Sequence, residues 1–301
     1  MKNVATIIAN PEQFNLNETE VNAIIDALQD NGAIIENVEV LSEAQAVDIY
    51  FAVLGQEEAD ELLLAYLANV PVDHVVQGEY GRKKKLLICD MDSTIIQQEC
   101  IDELAAFAGI KDKIAAITER AMNGELDFKD ALRERVKMLE GLSENVLQEA
   151  FDKHITLMPG AKELVATMKV NGAKAVLVSG GFTFFTSRIQ EIVGFDAQEA
   201  NILEIEGGKL TGKVREPILD SQAKFNALHF YADEMGVSVK EALAVGDGAN
   251  DLPMIKEAGV GVAIHAKPNV RAQAKVQVNN SDLLALLFLQ GYKKEEFVDN
   301  A

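Results

Sequence analysis

The chain has 301 residues, of which 48% are hydrophobic and 25% charged, so it can bury a large core and is long enough for two domains. Its formal charge of −20 argues against nucleic acids and anionic membranes as partners, and any anion site must be formed locally by basic side chains, backbone amides or a divalent cation. No segment approaches the ~20 apolar residues of a membrane span. The two cysteines, Cys89 and Cys100, fit a reducing compartment, so we expect a cytoplasmic protein.

The first 80 residues have the pattern of a separate α+β domain. Strand-like runs lie at 4–9, 33–41, 47–54 and 72–76, and helical spacing of apolar residues lies at 17–31 and 57–67. This order, β-α-β-β-α-β, is the split motif of the ferredoxin-like fold. It resembles the ACT family of small-molecule-sensing domains, which implies a regulatory or dimerisation role, although the segment carries no ligand fingerprint.

A basic cluster, Arg-Lys-Lys-Lys at 82–85, follows this domain. Such a cluster can be an interaction patch. At a domain boundary in a strongly acidic chain, however, we interpret it as a solvated linker.

The second predicted domain, residues 81–301, alternates strand-like and helix-like segments. Short apolar runs at 86–89, 173–178 and 242–245 read as buried strands of a doubly wound, Rossmann-like parallel sheet with helices on both faces. Gly207-Gly208, flanked by apolar residues within 201–214, predicts a hairpin. The helix-forming stretch at about 100–155 predicts a cap inserted after the first strand, over the sheet edge where open α/β folds bind ligands.

Two carboxylates follow the first strand of this domain, in Asp90-Met91-Asp92-Ser93-Thr94. A strand that presents two carboxylates at its carboxyl end can supply a nucleophile and a proton donor. The alternative is that both are ordinary turn residues.

Three later segments carry further polar groups that phosphoryl transfer would need. Ser179-Gly180-Gly181 offers a hydroxyl and backbone amides, Lys224 a cation, and the stretch from Gly246 to Asp251 three polar side chains on a glycine-rich turn. Ser-Gly-Gly alone is a common turn, and Lys224 alone is one of many lysines.

In order and spacing, these segments match the four signature motifs of the haloacid dehalogenase-like superfamily, over about 215 residues from Leu86 onward. The resemblance implies hydrolysis of a phosphate ester, with Asp90 as nucleophile forming an aspartyl phosphate and Asp92 as acid and then base. It implies Mg²⁺ held by Asp90, the backbone carbonyl of Asp92 and Asp247, with Asp251 supporting the metal or Lys224. The implied phosphate ligands are Ser179, the Gly180 amide, Lys224 and Asn250.

Charged residues in the predicted cap indicate the class of substrate. From composition alone, Glu99 would be an acidic helix start and Arg135 part of a solvated helix face. The sequence from Asp90 to Glu99 and at 128–136 is, however, similar to the phosphoserine phosphatase family. This resemblance implies that Glu99 binds the ammonium group and Arg135 the carboxylate of the substrate, and that Met122 and Phe128 line the pocket.

The resulting expectation is hydrolysis of O-phospho-L-serine to L-serine and phosphate, the last step of serine biosynthesis, with the first domain mediating dimerisation or feedback by serine. Two alternatives remain open at this point. The chain could act on another small phosphomonoester, or transfer the phosphoryl group to a second alcohol. It could also be an amino-acid sensor with a non-catalytic scaffold, which the intact set of Asp90, Asp92, Lys224 and Asp247 argues against.

Overall fold

The computed structural model describes residues 2–123 and 125–298, except for the side chain of Met122. The chain forms two compact units. One consists of Met1–Lys84, Pro159–Asn171 and Val276–Ala301, and the other of Lys85–Met158 and Gly172–Lys275. No helix in the described ranges is both long and apolar enough to cross a bilayer.

The strands, in chain order, are β1 (Asn3–Ala9), β2 (Ile34–Ser42), β3 (Ala46–Ala52), β4 (Val72–Gly78), β5 (Leu86–Cys89), β6 (Lys174–Phe182), β7 (Ala197–Asn201), β8 (Leu203–Glu206), β9 (Lys209–Val214), β10 (Ala242–Gly246), β11 (Val260–Ile264) and β12 (Val276–Val278). The α-helices are α1 (Glu18–Asp30), α2 (Gln56–Tyr66), α3 (Cys100–Phe107), α4 (Lys111–Met122), α5 (Phe128–Lys137), α6 (Asn145–His154), α7 (Ala161–Val170), α8 (Thr183–Val193), α9 (Ser221–Met235), α10 (Leu252–Glu257), α11 (Pro268–Arg271) and α12 (Ala285–Phe288). Short 3₁₀ helices lie at Val239–Glu241, Ala249–Asp251 and Lys294–Glu296.

The first unit contains an antiparallel sheet in the order β2-β3-β1-β4. Its chain order, β1-α1-β2-β3-α2-β4, confirms the predicted ferredoxin-like pattern. Asn17 caps α1 by accepting hydrogen bonds from the backbone N–H groups of Thr19 and Glu20, and the apolar face of the helix packs on the sheet. The core of this domain is built around fully buried side chains such as Ile7, Leu28, Ile49, Phe51 and Leu63.

The basic cluster is not a wholly solvated linker, so that prediction was wrong for Arg82. The Arg82 guanidinium is buried and donates to both carboxylate oxygens of Asp48 on β3, at 2.6 and 3.0 Å. It also donates to the Thr6 hydroxyl and to the carbonyl oxygens of Phe288 and Leu289. Asp48 has no exposed surface, and a buried carboxylate needs a paired cation. This requirement keeps Arg82 out of water and connects the sheet to the C-terminal segment of the same unit.

The second unit contains strands β11, β10, β5, β6 and β7 in that order, all parallel, which confirms the predicted α/β sheet. At the end of β5, Cys89 lies opposite Val245 of β10 on one side and Leu177 of β6 on the other. The polar residues that follow these three strands therefore meet at one edge of the sheet. This register is what assembles the site.

The helices α3 to α6 form the cap predicted at about 100–155, and they follow β5 directly. The predicted hairpin is also present, with β8 and β9 antiparallel. Gly207 and Gly208 join the two strands with φ of 58° and 75°, values that a two-residue hairpin turn requires and that glycine adopts readily.

Candidate active site

Asp90 is the first residue after β5, and its side chain is almost fully buried, with 3% exposed. Its Oδ1 accepts a hydrogen bond from the backbone N–H of Met91 at 2.8 Å and lies 2.8 Å from Lys224 Nζ. Its Oδ2 has no hydrogen bond to any described residue. Asp90 is thus held rigidly through one oxygen while the other remains available to a ligand.

Asp92 is held by both of its carboxylate oxygens. Oδ1 accepts from the backbone N–H of Cys100 at 2.7 Å, and Oδ2 accepts from the Ser179 hydroxyl at 3.2 Å. Burial raises the pKa of Asp92, although these hydrogen bonds oppose the shift. A carboxyl with a raised pKa holds its proton more readily at neutral pH, which suits a proton donor.

Lys224 projects from α9, which begins after Asp220, whose side chain accepts hydrogen bonds from two backbone N–H groups of the first turn. Its side chain has no exposed surface and lies 2.6 Å from Asp251 Oδ1 as well as 2.8 Å from Asp90. Burial alone would lower the pKa of Lys224, but the two carboxylates raise it above its ordinary value. The lysine is therefore a permanent buried cation.

Three carboxylates, from Asp90, Asp247 and Asp251, each offer an oxygen within 4.8 Å of the others. Asp247 Oδ1 is buried without a hydrogen-bond partner among the described residues, and burial, followed by the charges of Glu99, Asp251 and Asp90, raises the pKa of Asp247. Both oxygens of Asp251 are in use, by Lys224 and by the Gly248 amide. The free oxygens of Asp90 and Asp247 fit a hard divalent cation, which prefers carboxylate ligands.

Ser179, Gly180 and Gly181 lie at the end of β6. The Ser179 hydroxyl accepts from the Gly181 amide at 2.9 Å. A Cβ at Gly180 would lie 2.6 Å from the Phe128 ring, so glycine at this position allows the cap to approach the sheet edge. Asn250, on the turn after β10, has a buried Oδ1 without a partner in the described part of the chain, as expected for a side chain that awaits a ligand.

Glu99 precedes α3, but its side chain makes no capping hydrogen bond. It accepts instead from the Ser93 hydroxyl at 2.7 Å. Burial, with a further contribution from the charge of Asp92, raises the pKa of Glu99 to about 8. The interpretation as a simple acidic helix start therefore does not describe this side chain.

Arg135 lies on α5 and is 2% exposed, so the interpretation as a solvated helix face was wrong. Its Nε donates to the Ala131 carbonyl at 3.1 Å and its Nη1 to the Thr118 hydroxyl at 3.0 Å. Burial lowers the pKa of Arg135, and the nearby carboxylates of Glu99 and Asp102 oppose the change. A cation thus lies in the cap wall of the cavity.

Eight of the predicted site residues line one cavity: Asp90, Asp92, Glu99, Phe128, Arg135, Ser179, Gly180 and Asn250. Lys224, Asp247 and Asp251 lie next to Asp90, as the distances above show. The remaining predicted residue is Met122, whose side chain lies outside the described part of the structure.

Sequence reasoning missed other residues of the site. The cavity wall also includes Ile101 and Leu132, and the cap places Thr118 against Arg135 and Asp102. Ile101 and Leu132 each lie close in sequence to a predicted cap residue, which is a signal that could have been used. Thr118 lies on a different helix from Arg135, and no sequence pattern connects the two.

A family model for haloacid dehalogenase-like hydrolases matches residues 84–259. The site described above lies within these residues. The chain therefore belongs to the haloacid dehalogenase-like hydrolases.

Within this family, the chain is most usefully compared with individual phosphoserine phosphatases. It is 38% identical to the phosphoserine phosphatase of Saccharomyces cerevisiae, with 98% of each chain covered, and 47% identical to that of Haemophilus influenzae, with 81% of this chain and 77% of the relative covered. A solved structure of a phosphoserine phosphatase with a phospho-aspartyl intermediate analogue is 39% identical, with a TM-score of 0.66 over 68% of this chain and 98% of that one. Within the hydrolase family, the chain belongs with the phosphoserine phosphatases.

Proposed function

We propose that the chain hydrolyses O-phospho-L-serine to L-serine and phosphate. The observation that carries this proposal is the pairing of opposite charges in the cap wall. Glu99 and Arg135 line the same cavity as Asp90 and Asp92. The relatives named above, which act on phosphoserine by name, support the same substrate.

The two cap residues match the two charged groups of an amino acid. The Glu99 carboxylate complements the substrate ammonium, and the planar Arg135 guanidinium can hold the substrate carboxylate with two parallel hydrogen bonds. A buried arginine that lacks its anion carries a desolvation cost, so the site would reject phosphate esters without a carboxylate.

Asp90 acts as the nucleophile, and Asp92 acts as the acid and then the base. One oxygen of the Asp90 carboxylate attacks phosphorus, and the bond from phosphorus to the serine oxygen breaks while Asp92 gives that oxygen its proton. Asp92, now a carboxylate, takes a proton from the water that attacks the aspartyl phosphate, and Asp90 is regenerated as phosphate leaves. The raised pKa of Asp92 suits both steps.

The phosphoryl group is held by Ser179, the Gly180 amide, Asn250 and Lys224. The two neighbouring carboxylates raise the pKa of Lys224, so the lysine is charged at neutral pH and offsets the negative charge on the transferring oxygens. Asn250 lines the cavity, and its Nδ2 group is the donor that it can offer to a phosphate oxygen. Ser179 and Lys224 are already held by hydrogen bonds and ion pairs within the protein, which limits their reorganisation during the reaction.

Magnesium fits the acidic cluster. Asp90 and Asp247 would hold it through oxygens that have no other partner, together with the backbone carbonyl of Asp92, while Asp251 would support it through its contact with Lys224. When bound, Mg²⁺ supplies positive charge that reduces the repulsion between the Asp90 carboxylate and a dianionic phosphate.

Arg135→Ala tests the substrate assignment. We expect kcat/KM for O-phospho-L-serine to fall by about 10²-fold or more, because the carboxylate loses its bidentate partner, whereas p-nitrophenyl phosphate, which has no carboxylate, changes by less than about threefold. Phosphate release from both esters measures the effect.

Arg133→Ala is the matched control. Arg133 lies on the same helix but is half exposed and pairs with Asp130 and Glu216 on the surface. It should leave both substrates nearly unaffected. Equal losses for the two esters in Arg135→Ala, or no preference of the parent for phosphoserine over other phosphomonoesters, would remove the assignment.

Glu99 leads to a prediction about pH. Its pKa of about 8 means that the carboxyl is mostly protonated at neutral pH in the free protein, and only the charged form attracts the substrate ammonium. We expect the ratio of kcat/KM for phosphoserine to that for p-nitrophenyl phosphate to rise with pH and to level off above about 8. Groups that act on both esters cancel in this ratio.

Glu99→Gln should lower the ratio and remove its pH dependence, because glutamine does not titrate. A parent ratio that stays flat from pH 6 to 9 would show that Glu99 does not bind the ammonium group as a carboxylate.

We also propose that the N-terminal domain mediates homodimerisation and responds to serine, in a cytoplasmic enzyme. The support is strand β2, an edge strand of nine residues with exposed Ile34 and Val40, because such edges pair readily with a second copy. Analytical ultracentrifugation of the full chain, with and without serine, tests this. A monomer that is indifferent to serine would contradict it.

A further inference from the structure

The Arg135 guanidinium is held in part by a residue on another helix. Its Nε bonds to the Ala131 carbonyl one turn earlier on α5, which fixes the stem. Its Nη1 bonds at 3.0 Å to the hydroxyl of Thr118, which lies buried on α4. Nη2 has no hydrogen bond to any residue that the structure describes, and Arg135 lines the cavity. The guanidinium is therefore anchored on one side and available on the other.

Thr118 is itself held by an acid on a third helix. Two acceptors lie within reach of its one hydroxyl hydrogen: Asp102 Oδ1 at 2.9 Å and the Ile114 carbonyl at 3.0 Å. The carboxylate is the stronger acceptor and takes the hydrogen. The oxygen of Thr118 is then left to accept from Arg135. A chain of hydrogen bonds thus runs from Asp102 on α3 through Thr118 on α4 to Arg135 on α5.

The charges at the two ends of this series of hydrogen bonds are opposite, so they attract each other. Asp102 is half-buried and negative, and its charge favours the cationic form of Arg135 against the effect of burial. A side chain without a hydroxyl in place of Thr118 would leave Arg135 Nη1 without its partner and Asp102 Oδ1 without its donor. Arginine has several rotatable bonds, so loss of the anchor would let the planar end turn away from the position that a bidentate contact needs.

We propose that Thr118, held by Asp102, is a positioning residue that orients the Arg135 guanidinium toward the substrate carboxylate. This inference rests on the proposed function, in which Arg135 binds that carboxylate. It adds a specificity determinant on α4, a helix from which the sequence indicated only an apolar wall residue.

Thr118→Val tests the proposal, because valine keeps the shape of threonine and removes the hydroxyl. We expect KM for O-phospho-L-serine to rise about tenfold or more with a smaller change in kcat, and both constants for p-nitrophenyl phosphate to change by less than about threefold. Thr118→Ser keeps the hydroxyl and should restore KM to within about threefold of the parent. In an Arg135→Ala background, Thr118→Val should add no further loss, since it acts through the arginine.

Thr186→Val is the matched control. Thr186 is a buried helical threonine on α8 whose hydroxyl bonds to Gln198 at 2.5 Å, far in sequence from the cap. It should leave the ratio between the two substrates unchanged. Thermal unfolding of every variant shows whether Thr118→Val remains folded, and Thr118→Ser provides the comparison if it does not.

The outcomes are distinct. Equal losses for both esters in Thr118→Val, failure of Thr118→Ser to restore KM, or an undiminished effect of Thr118→Val when Arg135 is absent would each overturn the positioning role. Unchanged phosphoserine kinetics in Thr118→Val, beside a selective loss in Arg135→Ala, would overturn it while leaving the proposed function intact. No selective loss in Arg135→Ala would overturn both.

Discussion

Asp90→Asn is expected to lower the turnover of O-phospho-L-serine by roughly 10⁴-fold or more, since an amide oxygen is a poor nucleophile toward phosphorus. The variant should remain folded. The Oδ1 of asparagine can still accept from the Met91 amide and from Lys224, which are the two contacts that hold Asp90 Oδ1. The loss would thus report chemistry and not unfolding. Phosphate release, with thermal unfolding in parallel, measures both.

Two further measurements sharpen this prediction. Asp30→Asn, which changes an exposed carboxylate at the end of α1, should have parent activity. Acid quenching of the parent during turnover should trap phosphate on the peptide that contains Asp90, and turnover should stop with a chelator and return with Mg²⁺. An active Asp90→Asn variant, chelator-resistant turnover, or phosphate trapped on another peptide would contradict the mechanism.

Lys224→Met is expected to reduce the free energy of unfolding by about 3–5 kcal/mol. The lysine lies between Asp90 and Asp251, and none of the three side chains has more than 5% of its surface exposed. Methionine fills a similar volume but leaves two buried carboxylates without a cation. Urea unfolding in the absence of divalent cations measures the change, because a bound cation would hide part of it.

The loss of unfolding free energy in Lys224→Met should also depend on pH. Burial already raises the pKa of Asp90, and removal of Lys224 would raise it further. A carboxyl whose pKa is higher in the folded than in the unfolded state reduces stability as pH rises through its folded pKa. The deficit of Lys224→Met should therefore be larger at pH 8 than at pH 5.

Two variants serve as controls for this change. Lys224→Met/Asp251→Asn should recover part of the lost stability, because it removes one of the uncompensated charges. Lys153→Met, which breaks an exposed ion pair with Glu149, should cost less than about 0.5 kcal/mol. A deficit no larger than that of Lys153→Met would mean that the buried carboxylates are neutral without the lysine.

The sequence alone was sufficient for the class of fold and for the edge of the sheet where the chemistry lies. Parallel strands end on one edge, so polar residues after β5, β6 and β10 had to converge once those strands were recognised. The sequence therefore predicts that the polar residues directly after these apolar runs lie at one site. They include Asp90, Ser179 and Asp247. The same holds for the Gly207-Gly208 hairpin, because its turn is a local property of the backbone.

Tertiary structure decided which charged residues are buried. Arg82 looked like part of a solvated linker, but it pairs with Asp48 in the interior. From composition alone Arg135 looked like part of an exposed helix face, and only the family resemblance predicted a pocket residue. It lies in the cavity wall, and Thr118 contacts it from another helix. Burial and hydrogen-bond partners depend on side chains brought together from distant parts of the chain. Local periodicity does not contain that information, so the burial of Arg135 and its contact with Thr118 became visible only in the folded protein.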